Sequence, residues 1–408
     1  MADIEFPAVM RRVTYSTENC GACMLNKQSK LPLYGRGGKK ILIVFEKQEA
    51  INQTSKTYAV GSKFDFVKDF LEENNIYMDT DCWVTSAIQC YSTNIEYKQA
   101  QCCKPALQRT IKMLKPELVI AFGDLTCKML LEDNLDGVSI DLCHGLLHNS
   151  RNFNCNMLFT FSPHTARKNS KTDDIDALII KSDLRVALNS LKTPYKAWKD
   201  EKECVTILTP KQSIQWLKNE INNTTKRYVA FDYECNSLRG YSKASKIVCV
   251  SIATDLDKVH VFDITDENKN TFIEWLKTDH LIKIAHNSAY ERQFSINKLG
   301  VNPHKLHIDT MLLAHILDNR EINWFSIKFL AKMLLGTPEW ETNTKKFFKA
   351  SDEDVKKHGT YALNKIDLVP KRQLLTYCGV DSLVELRVAS IFLKQLNNFY
   401  GDDNATDN

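Results

Sequence analysis

Apolar runs and amphipathic segments alternate along the first half of the chain. The apolar runs are typical of buried strands, and they cover residues 41–45, 82–88, 118–123 and 157–162. The amphipathic segments have helical spacing, and they cover residues 61–75, about 99–115 and about 172–191. Strands that alternate with helices favour a mostly parallel sheet covered by helices, so the pattern predicts a parallel-sheet α/β domain.

The second half has a different order of elements. It begins with a strand near 204–208 and a helix near 210–221, and three successive strands follow at 228–234, 246–253 and 258–264. A helix at 271–278, a strand at 282–286 and several further helices come next. Three strands in succession are typical of a meander, and the whole pattern predicts an α/β domain with a mixed sheet.

The length of 408 residues exceeds what one hydrophobic core usually serves, so we expect two domains. The segment TPYKAWKDEKE has a proline, many charges and no periodicity, which is typical of a linker. The predicted division is a first domain at 1–190, a linker at 191–203, a second domain at 204–398 and a frayed polar tail at 399–408.

Composition narrows the class of protein. The chain is 43% hydrophobic and 25% charged, as in an ordinary globular protein, and no apolar run approaches the length of a membrane span. The N-terminal MADIEFPAVMRR has no apolar core behind a basic start, so we expect no signal peptide and an intracellular, cytoplasmic protein without membrane contact. The net charge of +4 permits a polyanionic partner without requiring one.

Thirteen cysteines are many for a chain expected in a reducing compartment, and an odd number argues against a disulfide framework. Cys20 and Cys23 form a C-x-x-C pair, Cys90 follows a strand, and Cys103 lies in a helix. Four thiolates in this order are suited to an iron–sulfur cluster, with Cys102 a competitor for the fourth position. A zinc site and free thiols are the alternatives.

Two acids stand on a strand that otherwise looks buried. In VAFDYECNSL (229–238), Asp232 and Glu234 are two residues apart, so their side chains project to one face of the strand. Two buried like charges repel and lose hydration, and the arrangement is stable when a cation lies between them. The pair therefore predicts a metal site.

Two other segments add polar groups at regular spacing. AHNSAYERQF (285–294) places Asn287 at a predicted helix start and Glu291 one turn later. In LLTYCGVDSLVELRV (374–388), Tyr377 and Asp381 are four residues apart and so lie on one helix face. Carboxylates from separate segments suit a pair of hard cations about 4 Å apart that assists phosphodiester hydrolysis.

These three segments resemble the 3′–5′ exonuclease domain of family A DNA polymerases. The family motifs D-x-E, N-x-x-x-D/E and Y-x-x-x-D stand here as Asp232/Glu234, Asn287/Glu291 and Tyr377/Asp381, and the resemblance covers about residues 204–398. It implies an RNase H-like fold, and IDTMLLAHIL (308–317) looks like the helix that follows the second motif. Glu291 replaces the commoner aspartate, and we expect activity to survive this change because the charge is kept.

The resemblance also implies a role for each motif residue. Asp232, Glu234 and Asp381 bind two Mg²⁺ or Mn²⁺ ions, and Glu291 assists directly or through water. Tyr377 orients the attacking water, and Asn287 steadies the terminal nucleotide. The substrate implied is the 3′ end of single-stranded DNA, and the product is a nucleoside monophosphate.

The first half resembles the iron–sulfur uracil-DNA glycosylases over about residues 15–190. Their C-x-x-C-x-L motif stands here as CGACML, and CKPALQRTIKMLKPELVIAFG (103–123) matches their C-x-x-x-L…P stretch. The resemblance implies a [4Fe–4S] cluster on Cys20, Cys23, Cys90 and Cys103, with Cys103 rather than Cys102 as the fourth ligand.

The catalytic motifs of that family are changed. The loop FEKQEA (45–50) lacks the family's glycine and proline, Ser86 stands in place of the asparagine, and Ser162 in place of the late histidine, with His164 displaced. We therefore expect a non-catalytic module that binds DNA or a partner. Basic residues near Arg167, Lys168 and Lys171 are candidates for phosphate contacts, although a charge run is more often only a solvated face.

The two resemblances together predict a metal-dependent 3′–5′ DNA exonuclease that proofreads for a DNA polymerase on a separate chain. The composition suits a bacteriophage replication protein acting in the host cytoplasm. The alternatives are an active uracil-DNA glycosylase/nuclease of DNA repair, a 3′–5′ exoribonuclease with the same acids, and a module that binds DNA without cleaving it.

Overall fold

The structure is a computed structural model of the chain. It describes residues 20–48, 52, 55, 58, 64–93, 95, 97–131, 138–164, 175–193, 195–318, 325–340 and 344–400. The candidate phosphate contacts Arg167, Lys168 and Lys171 and the tail residues 401–408 lie outside these ranges. Contacts divide the chain into two compact units between Ala197 and Trp198. No helix in the described ranges is long and apolar enough to cross a membrane.

The first unit contains a five-stranded sheet in the order β2-β1-β3-β5-β4. Its strands are β1 (Ile41–Phe45), β2 (Cys82–Ser86), β3 (Leu118–Phe122), β4 (Leu147–Ser150) and β5 (Cys155–Thr160). Its helices are α1 (Asp65–Glu73), α2 (Met78–Asp81), α3 (Tyr97–Leu114), α4 (Asp124–Leu131), α5 (Ile140–Cys143) and α6 (Ile175–Ser190). Every neighbouring pair is parallel except β4 with β5. The fully buried strands β1 and β3 are typical of a parallel sheet covered on both faces.

The second unit contains a six-stranded sheet in the order β11-β10-β7-β8-β9-β6. Its strands are β6 (Val205–Ile207), β7 (Arg227–Cys235), β8 (Ile247–Asp255), β9 (Lys258–Asp263), β10 (Leu281–Ala285) and β11 (Leu306–Asp309). Strands β7, β8 and β9 form the predicted antiparallel meander, and the other pairs are parallel. The α/β class predicted for both halves is confirmed, with a mixed sheet in each.

The second unit also contains seven α-helices within the described ranges. They are α7 (Pro210–Asn222), α8 (Lys269–Leu276), α9 (Ala289–Phe294), α10 (Thr310–Leu317), α11 (Ile327–Leu330), α12 (Asp352–His358) and α13 (Lys371–Tyr400). Helix α13 runs to Tyr400, so the predicted tail begins two residues too early.

One predicted helix begins later than expected. Residues 308 and 309 end strand β11, and helix α10 starts only at Thr310. The carboxylate of Asp309 accepts hydrogen bonds from the backbone N–H groups of Met311 and Leu312, which is a helix N-cap. The polar side chain therefore marks the point at which strand changes to helix.

Alternation along β7 divides the core of the second unit into two layers. Phe231 and Tyr233 pack on one face with Trp275 of α8. Ala230 lies on the other face with Leu383 of α13. Because side chains alternate along a strand, Asp232 and Glu234 lie on the same face as Ala230, toward α13.

Candidate active site

Strand β7 and helix α13 bring three ligand-type side chains together. Asp232 and Glu234 are partly buried on the β7 face that meets α13, as their alternation predicted. Cys378, on the first half of α13, is fully buried beside them. One potential ligand atom from each of these three side chains lies within 4.8 Å of the others.

Asp381 completes this cluster from the next turn of α13. Its side chain is 6% exposed, and its Oδ1 accepts a 2.8 Å hydrogen bond from Trp340 Nε1. The same oxygen pairs with the ammonium group of Lys328. Tyr377 is also buried on this helix, and its ring packs against Phe348 with 4.9 Å between ring centroids. The four-residue spacing of Tyr377 and Asp381 thus places both side chains at the site.

The second predicted motif approaches from helix α9. Glu291 is 2% exposed, and its Oε2 has no hydrogen-bond partner within the described part of the chain. Asn287 lies two residues before α9 in the left-handed region, with a φ of 61°, and its side chain is exposed. Its backbone N–H and that of Ser288 donate to the carboxylate of Asp309, over 3.0 and 2.7 Å. Asp309 therefore holds the turn that precedes Glu291.

Burial and neighbouring negative charges disfavour the charged form of the clustered acids. Burial raises the pKa of Asp232 well above its usual range, and the nearby charge of Asp381 raises it further. Burial likewise raises the pKa of Glu234 and of Glu291, with the charge of Asp232 as the next cause for both. Such shifts are the expected sign of carboxylates arranged to share a cation.

Glu385 belongs to this cluster although the motifs did not indicate it. It lies one turn after Asp381, is 2% exposed, and has a buried Oε2 without a hydrogen-bond partner among the described residues. Burial raises its pKa, and the charges of Asp232, Glu291 and Asp381 raise it further. The four-residue spacing from Asp381 was the available signal, because it places both acids on one helix face.

The donor set suits hard divalent cations. Carboxylate oxygens are the ligands that Mg²⁺ and Mn²⁺ prefer, and two buried oxygens, on Glu291 and Glu385, have no hydrogen-bond partner in the described part of the chain. Buried polar atoms are normally paired, so these oxygens indicate a site built for a positively charged ligand. The thiol of Cys378 lies 3.9 Å from Asp232 Oδ2. It is the one soft donor in the group of Asp232, Glu234 and Cys378.

The four predicted cluster ligands lie near one another in the first unit. Cys20 begins a 3₁₀ turn, and the backbone N–H of Cys23 donates to the Cys20 carbonyl over 3.1 Å. Burial raises the pKa of Cys103 to about 12, and the nearby thiols of Cys90, Cys23 and Cys20 raise it further, while a backbone hydrogen bond at Gln89 opposes them. Cys102 is a close neighbour, since its thiol forms a hydrogen bond with that of Cys23.

In the first unit, the residues at the changed glycosylase motif positions contact other residues of the protein. Glu46 follows β1, and its Oε1 accepts a 3.0 Å hydrogen bond from the backbone N–H of Leu125. Ser162 also forms a hydrogen bond with the Glu46 carboxylate. At the predicted asparagine position, the Ser86 hydroxyl donates to the Ile88 carbonyl over 2.8 Å. His164 packs edge-on against Phe64 at 5.3 Å.

A comparison with known protein families finds a match for the second unit. Residues 205–397 match the family model described as 3′–5′ exonuclease. This part of the chain is a 3′–5′ exonuclease domain. The cluster of Asp232, Glu234 and Asp381 lies within the matched residues, and a domain of this kind uses divalent metal ions. The predicted recognition of the second half is confirmed.

Three solved structures illustrate what the chain is similar to. Escherichia coli RNase D, an exoribonuclease involved in structured RNA processing, is 14% identical, with 48% of this chain and 46% of that chain covered and a TM-score of 0.35. Pol1 of M. smegmatis in complex with DNA primer-template and dNTP is 14% identical (48% and 28% covered, TM-score 0.33). Brucella melitensis NrnC with bound Mg²⁺ is 18% identical (44% and 78% covered, TM-score 0.33).

The N-terminal region is similar to a curated glycosylase. The type-4 uracil-DNA glycosylase of Pyrobaculum aerophilum is 28% identical over 120 residues, which are 28% of this chain. The match spans 61% of that relative, and the chain spans 46% of the length of the E. coli RNase D structure.

Proposed function

We propose that the protein is a metal-dependent 3′–5′ DNA exonuclease that proofreads for a DNA polymerase on a separate chain. The observation that supports this most strongly is the convergence of five acids, Asp232, Glu234, Glu291, Asp381 and Glu385, within the 3′–5′ exonuclease domain. A 3′–5′ exoribonuclease is the main rival, because the same acids would serve both substrates and the 2′-hydroxyl contacts decide between them.

The acids have distinct roles in this proposal. Asp232, Glu234 and Asp381 hold two Mg²⁺ or Mn²⁺ ions, and Glu291 supports them from the side of α9. When bound, such ions stabilise the charge on the attacking and leaving oxygens of an in-line displacement. The indole N–H of Trp340 donates a hydrogen bond to Oδ1 of Asp381. This bond holds the carboxylate in one orientation, so the position of Oδ2 is fixed as well.

Tyr377 positions the attacking water in this mechanism. Its ring contacts both Phe348 and the ammonium of Lys328, so its hydroxyl has a restricted range of positions. Asn287 is exposed beside Glu291, where its amide can contact the terminal nucleotide. Hydrolysis of the last phosphodiester then releases a nucleoside monophosphate and leaves a shortened strand.

The first test is digestion of a 3′-labelled single-stranded DNA by the full chain, with Mg²⁺ and with EDTA. An RNA strand of the same sequence and a uracil-containing DNA strand are digested in parallel. We expect Mg²⁺-dependent release of mononucleotides from the 3′ end of DNA, faster than from RNA, and no free uracil. Faster digestion of RNA would overturn the DNA assignment and favour the exoribonuclease.

For the first unit we propose a [4Fe–4S] cluster on Cys20, Cys23, Cys90 and Cys103 in a module that binds DNA or the polymerase. The proximity of these four thiols supports it. A single tetrahedral zinc ion needs its thiolates about 4 Å apart. Within the described residues, the one group of three or more ligand-type side chains that lies within 4.8 Å is instead at Asp232.

The test for the cluster is anaerobic purification followed by iron and zinc analysis and visible absorption spectroscopy. We expect iron and acid-labile sulfide in equal amounts, and loss of both in the Cys23→Ser/Cys103→Ser variant. The matched control is Cys127→Ser/Cys143→Ser, which removes two buried thiols of the same unit. Zinc in place of iron, or full iron in the Cys23/Cys103 variant, would overturn the proposal.

A further inference from the structure

Lys328 places a positive charge inside the carboxylate cluster. It lies on the short helix α11, and its side chain is 23% exposed. Its ammonium group pairs with Asp381 Oδ1, the same oxygen that accepts the Trp340 hydrogen bond. It also lies 4.3 Å from the ring centroid of Trp340 and 4.4 Å from that of Tyr377.

This ammonium affects the acids on both sides of the site. Its positive charge acts on Asp232, Glu234 and Glu385 as well as on Asp381. Lys328 therefore stabilises the charged form of acids on β7 and on α13 at once. A divalent cation at Asp232, Glu234 and Asp381 would provide the same stabilisation more strongly, because it has twice the charge.

The position of the ammonium conflicts with full coordination of a metal by Asp381. A cation bound to the Asp381 carboxylate and an ammonium in contact with its Oδ1 lie close together and repel each other. The two aromatic rings attract the same ammonium, because a cation over the faces of Trp340 and Tyr377 stays attracted when its carboxylate contact is lost.

We propose that Lys328 competes with a divalent cation for Asp381 and thereby sets the metal concentration at which the nuclease becomes active. Without metal, the ammonium holds the acids together. When metal binds, the ammonium leaves Oδ1 and remains over the two rings, beside the tyrosine that orients the attacking water. This inference rests on the proposed nuclease function for its consequence, but the competition itself is a property of metal binding.

The test compares Lys328→Met with Lys328→Arg and with the control Lys332→Met. Lys332 is one turn further along the same segment and pairs with Glu339 outside the cluster. Mn²⁺ binding to the full chain is measured by electron paramagnetic resonance without nucleic acid. Thermal unfolding is followed in EDTA and in Mg²⁺, and the Mg²⁺ dependence of DNA digestion is measured in parallel.

We expect Lys328→Met to bind Mn²⁺ about tenfold more tightly and to reach half-maximal digestion at correspondingly lower Mg²⁺. Its thermal midpoint should fall in EDTA and recover in Mg²⁺, because the acids lose their only described lysine partner until metal replaces it. Lys328→Arg keeps the charge, so it should retain near-native Mn²⁺ affinity, and Lys332→Met should match the native protein throughout.

Two outcomes would overturn the competition. Unchanged Mn²⁺ affinity in Lys328→Met, with a lower thermal midpoint in both EDTA and Mg²⁺, would mean that the lysine is only a structural ion-pair partner. Weaker Mn²⁺ binding would mean that it supports the metal site. Tighter Mn²⁺ binding without any DNA digestion by the native chain would instead keep the competition and overturn the proposed nuclease function.

Discussion

Acids in the two units differ in whether their carboxylate oxygens have hydrogen-bond partners. In the first unit, the Glu46 carboxylate is hydrogen-bonded by the Leu125 backbone and by Ser162. In the second unit, Glu291 and Glu385 each have a buried oxygen with no partner in the described part of the chain. A satisfied buried acid needs nothing further, whereas an unsatisfied one requires a ligand. This contrast distinguishes a structural acid from an acid of a ligand-binding site more clearly than the sequence motifs do.

A glycine in the first unit makes room for the Glu46 side chain. Gly123 follows β3 with a φ of +89°, and a Cβ there would lie 2.0 Å from Glu46 Cδ. Any larger residue would displace the Glu46 side chain, so Glu46 can keep its position only beside a glycine. The same glycine ends the stretch at 103–123 that resembles the glycosylases, and here it makes room for the Glu46 side chain.

The largest expected effect is on the acids of β7. Replacing Asp232 and Glu234 by alanine should lower 3′–5′ hydrolysis by at least 10³-fold, a loss of about 4 kcal/mol of transition-state stabilisation. The unfolding midpoint in EDTA should rise, because two buried repelling charges are removed. Product release from labelled DNA and circular dichroism measure the two effects.

The matched control for that pair is Asp266→Ala/Glu267→Ala, which removes two exposed acids of the same unit. It should digest DNA at the native rate. Native digestion by the Asp232/Glu234 variant would contradict the site, and a lower midpoint would contradict the repulsion.

Tyr377→Phe is expected to have the next largest effect. Loss of the hydroxyl should reduce the turnover rate about 10²-fold, the contribution of one group that orients or deprotonates a nucleophile. Binding of Mn²⁺ and of DNA should not change, because the ring and its contacts with Phe348 are retained. Tyr361→Phe, at a half-exposed tyrosine, is the control and should act as the native enzyme. An unchanged turnover rate in Tyr377→Phe would exclude the hydroxyl from the reaction.

Local patterns predicted the parts of this site that depend on local geometry. The period of two along β7 placed Asp232 and Glu234 on one face of that strand. The helical period placed Tyr377 and Asp381 on one face of helix α13. The same helical period also reaches Glu385, but without the motif an acid one turn later looks like an ordinary exposed residue. Its burial follows from packing of α13 on the sheet, which no local pattern shows.

The contact of Lys328 with the acids could not be predicted from the sequence, for a different reason. It is 53 residues from Asp381 in the chain, and a lysine on a short helix is normally solvent-exposed. The strands β4 and β11 were also missed, because a strand of four residues is too short to show a period. Contacts between distant segments and short edge strands are set by the tertiary fold, so a period within one segment cannot indicate them.

Glu385→Gln should change how stability depends on pH. Burial raises the pKa of Glu385 above its ordinary value of 4.5, so the folded state favours the protonated form. The stability that this gives is complete below pH 4.5 and is lost as pH rises through the higher folded-state pKa. In EDTA, the unfolding midpoint of the native chain should therefore fall as the pH rises above about 4.5.

Glutamine cannot ionise, so the fall in Glu385→Gln should be smaller than in the native chain. Glu274→Gln, at an exposed position on α8, is the control and should show the native pH profile. A fall of equal size in Glu385→Gln would mean that Glu385 is not among the acids that resist ionisation.

The smallest effect on activity is expected in the first unit. Glu46→Ala removes the acceptor for the Leu125 N–H and should cost about 1–3 kcal/mol of unfolding free energy. It should leave digestion of single-stranded DNA unchanged and should not release uracil, because Ser86 and Ser162 still stand at the altered motif positions. Glu73→Ala, on the exposed face of α1, should change neither quantity. Uracil release by Glu46→Ala would show that this carboxylate alone blocks a working glycosylase site, and the contrast between the two units would then be one of access rather than of chemistry.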